Sequence, residues 1–101
     1  MEDQGQARVH DVAVACDTRR GWVTVTGQLS TEIDHPVVDL TLIAADGQPL
    51  ASTMIVDAPP EFQMTLHPRQ AERGLALTLR IEVFHDDDLV CVQEYPFTFE
   101  P

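Results

Sequence analysis

The stretch Leu75–Phe99, LALTLRIEVF-HDDD-LVCVQEYPFTF, decides the fold. Leu75, Leu77, Leu79, Ile81 and Val83 alternate with Ala76, Thr78, Arg80 and Glu82. A side-chain period of two belongs to a β-strand with one face buried and the other wet. His85-Asp86-Asp87-Asp88 then interrupts the apolar pattern, and aspartate suits a turn because its carboxylate bonds nearby backbone N–H groups. The run from Leu89 to Phe99 restores the pattern, so the stretch reads as two strands folded back on each other. Pro96 lies inside the second of them and has no N–H to donate, which places that strand at a sheet edge or at a bulge.

Five similar runs precede the hairpin: Val9 to Cys16, Trp22 to Leu29, Val37 to Ala44, Leu50 to Val56 and Phe62 to Leu66. In the first, Val12, Val14 and Cys16 share a side; in the second, Val23, Val25 and Leu29 oppose Thr24 and Thr26; in the third, Val38, Leu40 and Leu42 point inward. Leu50 to Val56 alternates poorly around Ser52 and Thr53, as an edge strand with weak packing demands does. Turn residues separate the runs at Asp17–Gly21, Ser30–Pro36, Asp46–Pro49, Asp57–Pro60 and His67–Gly74. The last of these is expected to hold one helical turn between Pro68 and Gly74.

Seven short strands with a turn every eight to twelve residues read as a β-sandwich. Val23-Thr24-Val25-Thr26-Gly27 resembles the second strand, and Gly74 to Val83 the sixth strand, of fibronectin type III and related immunoglobulin-like domains. Transthyretin-like sandwiches fit the same pattern. Leu75 and Leu77 stand where such domains commonly place a corner tyrosine, and Trp22 follows Cys16 too closely for the Cys…Trp…Cys arrangement of antibody domains. The resemblance therefore implies architecture and no functional residues. The expected fold is an all-β, seven-stranded antiparallel immunoglobulin-like β-sandwich, one domain over residues 1–101, with residues 1–7 as a flexible N-terminal tail.

Composition narrows the function. A hydrophobic content of 44% over 101 residues supports one core without staples. The net charge of −11 argues against nucleic acid or an anionic membrane as partner. The chain contains no lysine, which excludes Schiff-base chemistry and a P-loop. The opening MEDQGQ has neither the basic nor the apolar region of a signal peptide, so a cytoplasmic setting is expected for the chain as given; a domain cut from an exported protein would read the same way. Cys16 and Cys91, 75 residues apart and in no metal-ligand spacing, are expected to be buried free thiols.

In up-and-down immunoglobulin order, alternate loops gather at opposite ends. One end collects Arg19, Arg20, Arg69 and Arg73. The other collects Glu32, Asp34, Asp57, Glu61, Asp86, Asp87 and Asp88, with His35 and His85 as its expected cations. Asp34, Glu61, Asp86, Asp87 and Asp88, arriving from three loops, are candidate ligands for Ca²⁺, which takes six to eight oxygens in irregular geometry. The competing reading is a set of solvated turn carboxylates, since no D-x-D-x-D-G spacing occurs.

Catalytic combinations are weaker. Ser30, Asp34 and His35 share one loop, too close in sequence for a triad, and Ser30 reads as a turn residue. His10 and His67 have no partner at a telling spacing, and Trp22 is expected to cover the core. No catalytic residue and no cofactor is expected apart from the calcium alternative. The favoured reading is a non-enzymatic interaction or structural module that meets a protein partner, or another copy of itself, through the edge strand Leu50 to Val56.

Overall fold

The structure, a computed structural model, describes residues 7–101. It contains β1 (Ala7–Asp17), β2 (Trp22–Thr31), β3 (Val37–Ala44), β4 (Pro49–Ile55), β5 (Glu61–Leu66), β6 (Ala76–His85) and β7 (Asp88–Thr98). The tail expected at 1–7 lies outside the described residues except for Ala7, where β1 begins.

The strands form two antiparallel sheets, β1-β2-β5 and β4-β3-β6-β7. Their inner faces carry the alternating apolar residues of the sequence. Val23, Val25, Phe62 and Leu66 of the first sheet face Val38, Leu40, Leu42, Leu79 and Ile81 of the second, and all nine are buried. Phe99, just past β7, is fully buried as well, and its backbone bonds Leu75 and Gly74 at 2.8 and 2.9 Å. That pair ties the last strand to the start of β6.

A bulge in β1 explains a pattern that strict alternation misses. Val9 is buried although Val12, Val14 and Cys16 occupy positions of opposite parity on the same side. The pairing with β2 skips between His10 and Ala13, and Asp11 takes a left-handed φ of 54°. One extra residue flips the side-chain parity and keeps both halves of the strand facing the core.

Gly27 faces inward opposite Phe62 on β5. A Cβ there would stand 2.8 Å from Phe62 Cζ, so the glycine makes room for the ring.

Two local expectations are corrected. His67 to Gly74 forms two turns and no helix, because Gln70 (φ 55°) and Gly74 (φ 92°) both adopt left-handed conformations that a right-handed helix excludes. The hairpin loop is shorter than expected: His85 pairs with Asp88, leaving a two-residue turn of Asp86 and Asp87.

Candidate functional site

The register places the loops at two ends, with the arginines Arg19, Arg20, Arg69 and Arg73 at one of them. At that end Asp17 Oδ1 accepts the backbone N–H groups of Arg19 and Arg20, each at 3.1 Å, which shapes the β1–β2 turn. Trp22 does not cover the core. It lies on the outer face of the β1-β2-β5 sheet, 38% exposed, with its ring 5.1 Å from the His67 ring and 5.0 Å from the Arg20 guanidinium. The reason is parity: Val23 takes the inward position, so its neighbour turns out. His67 thus has a partner that spacing alone did not reveal, because Trp22 and His67 meet across β2 and β5.

At the opposite end, Asp34, Glu61, Asp86, Asp87 and Asp88 are all exposed. His35 and Asp57 meet at 3.1 Å, and His85 reaches Asp86 at 3.9 Å. Among the described residues, no three His, Cys, Asp or Glu side chains are gathered as a metal site. Glu61 instead lines a groove on the outer face of the β1-β2-β5 sheet with Asp11, Gln28 and Gln63. Arg8, paired with Ser30 near this end, adds a cation that counting loop residues alone overlooked.

Spacing also missed a serine–histidine–aspartate chain. Ser30 Oγ lies 2.8 Å from His10 Nε2, and His10 Nδ1 lies 3.2 Å from Asp11 Oδ2. Ser30 belongs to β2 and not to a turn. The order of contacts is that of a hydrolytic triad, but Asp11 is 70% exposed and therefore polarises the imidazole through water-screened space. What the contacts do accomplish is to hold the β1 bulge against β2, since His10 is the last paired residue before the skip and Asp11 lies within it.

The cysteines are half-buried rather than buried, and both are free. Burial pushes each thiol above its usual pKa, with a smaller contribution at Cys16 from the nearby Glu100 charge. Thiols held protonated are poor nucleophiles.

The two flanks of the sandwich differ. Where β1 meets β7, the Gln93 side chain reaches from β7 to the β1 backbone: its Oε1 accepts the Val9 N–H and its Nε2 donates to the Val9 carbonyl, both at 2.9 Å. Where β4 meets β5, the Arg69 N–H bonds the Leu50 carbonyl at 3.2 Å, at the start of β4. Among the described residues β4 pairs with β3 alone, so its other edge continues past Leu50 without a strand beside it. Met54, in β4, is 55% exposed, and Val56, just beyond, is 71% exposed.

No protein-family model matches the sequence, and no curated protein does. Solved structures do. The chain is similar to a β-glucuronidase of Ruminococcus gnavus at a TM-score of 0.62 and 17% identity, over 94% of this chain and 16% of that one. A Lactobacillus rhamnosus β-glucuronidase gives 0.61 and 20% identity over the same shares, 94% and 16%. A glycosyl hydrolase family 2 member from Bacteroides cellulosilyticus gives 0.55 and 9% identity, over 87% of this chain and 14% of that one. The likeness is one of fold. This chain spans about one sixth of the length of the β-glucuronidases it resembles and shares a β-sandwich fold with part of them.

Proposed function

We propose that this chain is a non-catalytic β-sandwich module, of the fibronectin type III-like kind, that acts by contact with another protein along the β4 side of its larger sheet. The observation that carries the reading is the contrast between the flanks. Gln93 occupies the β1 edge at Val9, whereas β4 beyond Leu50 presents backbone groups and the apolar side chains of Met54 and Val56 in the open. Free edges bind strands, and folds that do not use an edge commonly blunt it with charge. β4 itself, PLASTMI, carries no charged residue. The fold likeness to a small part of much longer glycosidases agrees with a domain that serves a larger assembly.

The test is capture of partners by the immobilised chain, with Ser52→Lys as the control. Lysine on an exposed β4 position places a charge at the edge without touching the core. The reading expects a saturable partner that Ser52→Lys loses while its melting temperature stays within a few degrees of the parent. A partner retained unchanged by Ser52→Lys contradicts it.

A further inference from the structure

Four of the five large apolar side chains that are most exposed, Met54, Val56, Leu89 and Val92, lie on one surface: the outer face of the β4-β3-β6-β7 sheet, toward the acidic end. The register assembles them. Val37 pairs with Phe84, and Phe84 with Leu89; Val56, one residue past the Val38–Ile55 pair, extends the same row on the β4 side. The next row outward-facing is Met54, Asp39, Glu82 and Val92, joined by the pairs Asp39–Met54, Asp39–Glu82 and Glu82–Val92. The first row is thus apolar across the sheet, from Val56 just past β4 through the half-buried Val37 and Phe84 to Leu89, while the second adds Met54 and Val92 at its two ends. Scattered apolar residues are normal on a surface, but a contiguous band across a sheet marks a contact site.

The charges around the band select its occupant. Asp39 and Glu82, in the next row, flank the apolar row on one side; on the other, Asp57 follows Val56 and Asp86 to Asp88 adjoin Leu89. Arg80, in the row beyond, is engaged by Glu94 at 3.0 Å. A second copy laid face to face would set these carboxylates against their equivalents, in a molecule of net charge −11. Like charges brought together and desolvated oppose association, while opposite charges on a rim favour and steer it.

The geometry points to this face as a docking site for a protein surface with an apolar centre and a lysine- or arginine-rich rim. The inference rests on the interaction-module reading and names the partner's chemistry. In the contact Phe84, Leu89 and Val92 supply the apolar centre, while Asp39, Glu82 and the hairpin aspartates meet the cations.

The test uses the full chain, isotope-labelled for NMR, and three synthetic peptides of equal length: alternating Leu/Lys, alternating Leu/Glu and alternating Ser/Lys. The Leu/Lys peptide is expected to shift the amide signals of Val37, Phe84, Leu89 and Val92, and to weaken at least about tenfold between 50 and 300 mM salt. The double variant Leu89→Ser/Val92→Ser, on exposed β7 positions far from β4, is expected to weaken it by at least about tenfold, with unchanged melting. Equal binding of Ser/Lys overturns the apolar centre, and equal binding of Leu/Glu overturns the basic rim. A concentration-dependent dimer dissolved by the same double variant makes a second copy the occupant and also overturns the inference. If the captured partner is lost on Ser52→Lys but kept by Leu89→Ser/Val92→Ser, the face assignment fails while the module reading stands. Retention by both variants removes the module reading itself.

Discussion

The Gln93 side-chain amide is docked on the backbone of Val9, accepting its N–H and donating to its carbonyl, each at 2.9 Å. A primary amide presents one acceptor and a donor side by side, the same pair that a neighbouring strand offers. Gln93 therefore stands in for a strand at that point of the β1 edge. Val9 has both groups free for it because they face away from β2; on the other side of the pair, the Leu29 N–H goes to the Pro60 carbonyl at 2.7 Å. Tyr95 Oη accepts a further bond from Gln93 Nε2, and the Cys91 thiol donates to Gln93 Oε1 at 3.3 Å.

Removing this amide should cost stability and uncover an edge. Gln93→Ala leaves the Val9 N–H and carbonyl without protein partners, a loss of about 1–2 kcal/mol. Gln93→Glu keeps an acceptor for the N–H but sets a carboxylate against the Val9 carbonyl, so its deficit should grow as pH rises through the carboxylate range. Urea melts of both variants at pH 4 and pH 7 check this; equal losses for Gln93→Glu at both values contradict the bidentate role.

Gly27→Ala tests the close approach of β2 and β5. Its methyl would arrive 2.8 Å from Phe62 Cζ inside the core. Overpacking of this kind costs about 1–3 kcal/mol, and Gly27→Ala/Phe62→Leu should recover part of the loss. A double variant no more stable than the single one removes the steric explanation.

Those two contacts also show how far the sequence is legible. The period of two marks most of the strands, because the register of a half-buried strand is fixed by its buried face; β4, with no fully buried residue, alternates poorly. Strand ends moved by a residue or two, and Ser30 passed from turn to strand, because ends are set by pairing partners that lie elsewhere in the chain. The β1 bulge stayed hidden, since Val9 and Val12 reveal a parity flip only once the pairing with β2 is known. The edge character of Leu50–Val56 was legible from its poor alternation. The outer apolar band was not, because Val37, Val56 and Phe84 are far apart in sequence and meet only through the register of β4, β3 and β6.

The thiols carry a pH prediction. Burial raises both above the ordinary value of 9.0, so the folded state holds its protons where the unfolded chain has begun to release them. Their contribution to stability is complete below pH 9.0 and is lost as pH rises through the folded values. Cys16→Ser/Cys91→Ser should therefore show a shallower decline in melting temperature between about pH 8.5 and pH 10.5. Identical slopes in parent and variant contradict the assignment.

Calcium addresses the acidic end. With His35–Asp57 and His85–Asp86 as the contacts formed there, and Asp34, Glu61, Asp87 and Asp88 gathered into no group of three among the described residues, calcium should act only as ionic strength. A cation bound to the folded state alone must raise its stability. Melts in millimolar calcium should match those in sodium chloride of equal ionic strength; a specific rise abolished by Asp86→Asn/Asp88→Asn would establish the site.

The central claim is that β4 and the sheet beside it form the contact surface. Amide hydrogen exchange of the chain, alone and with the partner it captures, measures that directly. Slowed exchange at residues 51–56, with Val9 protected equally in both states, is the predicted result. Protection confined to the arginine-bearing end, around Arg19, Arg20 and Arg69, with residues 51–56 unchanged, would contradict it.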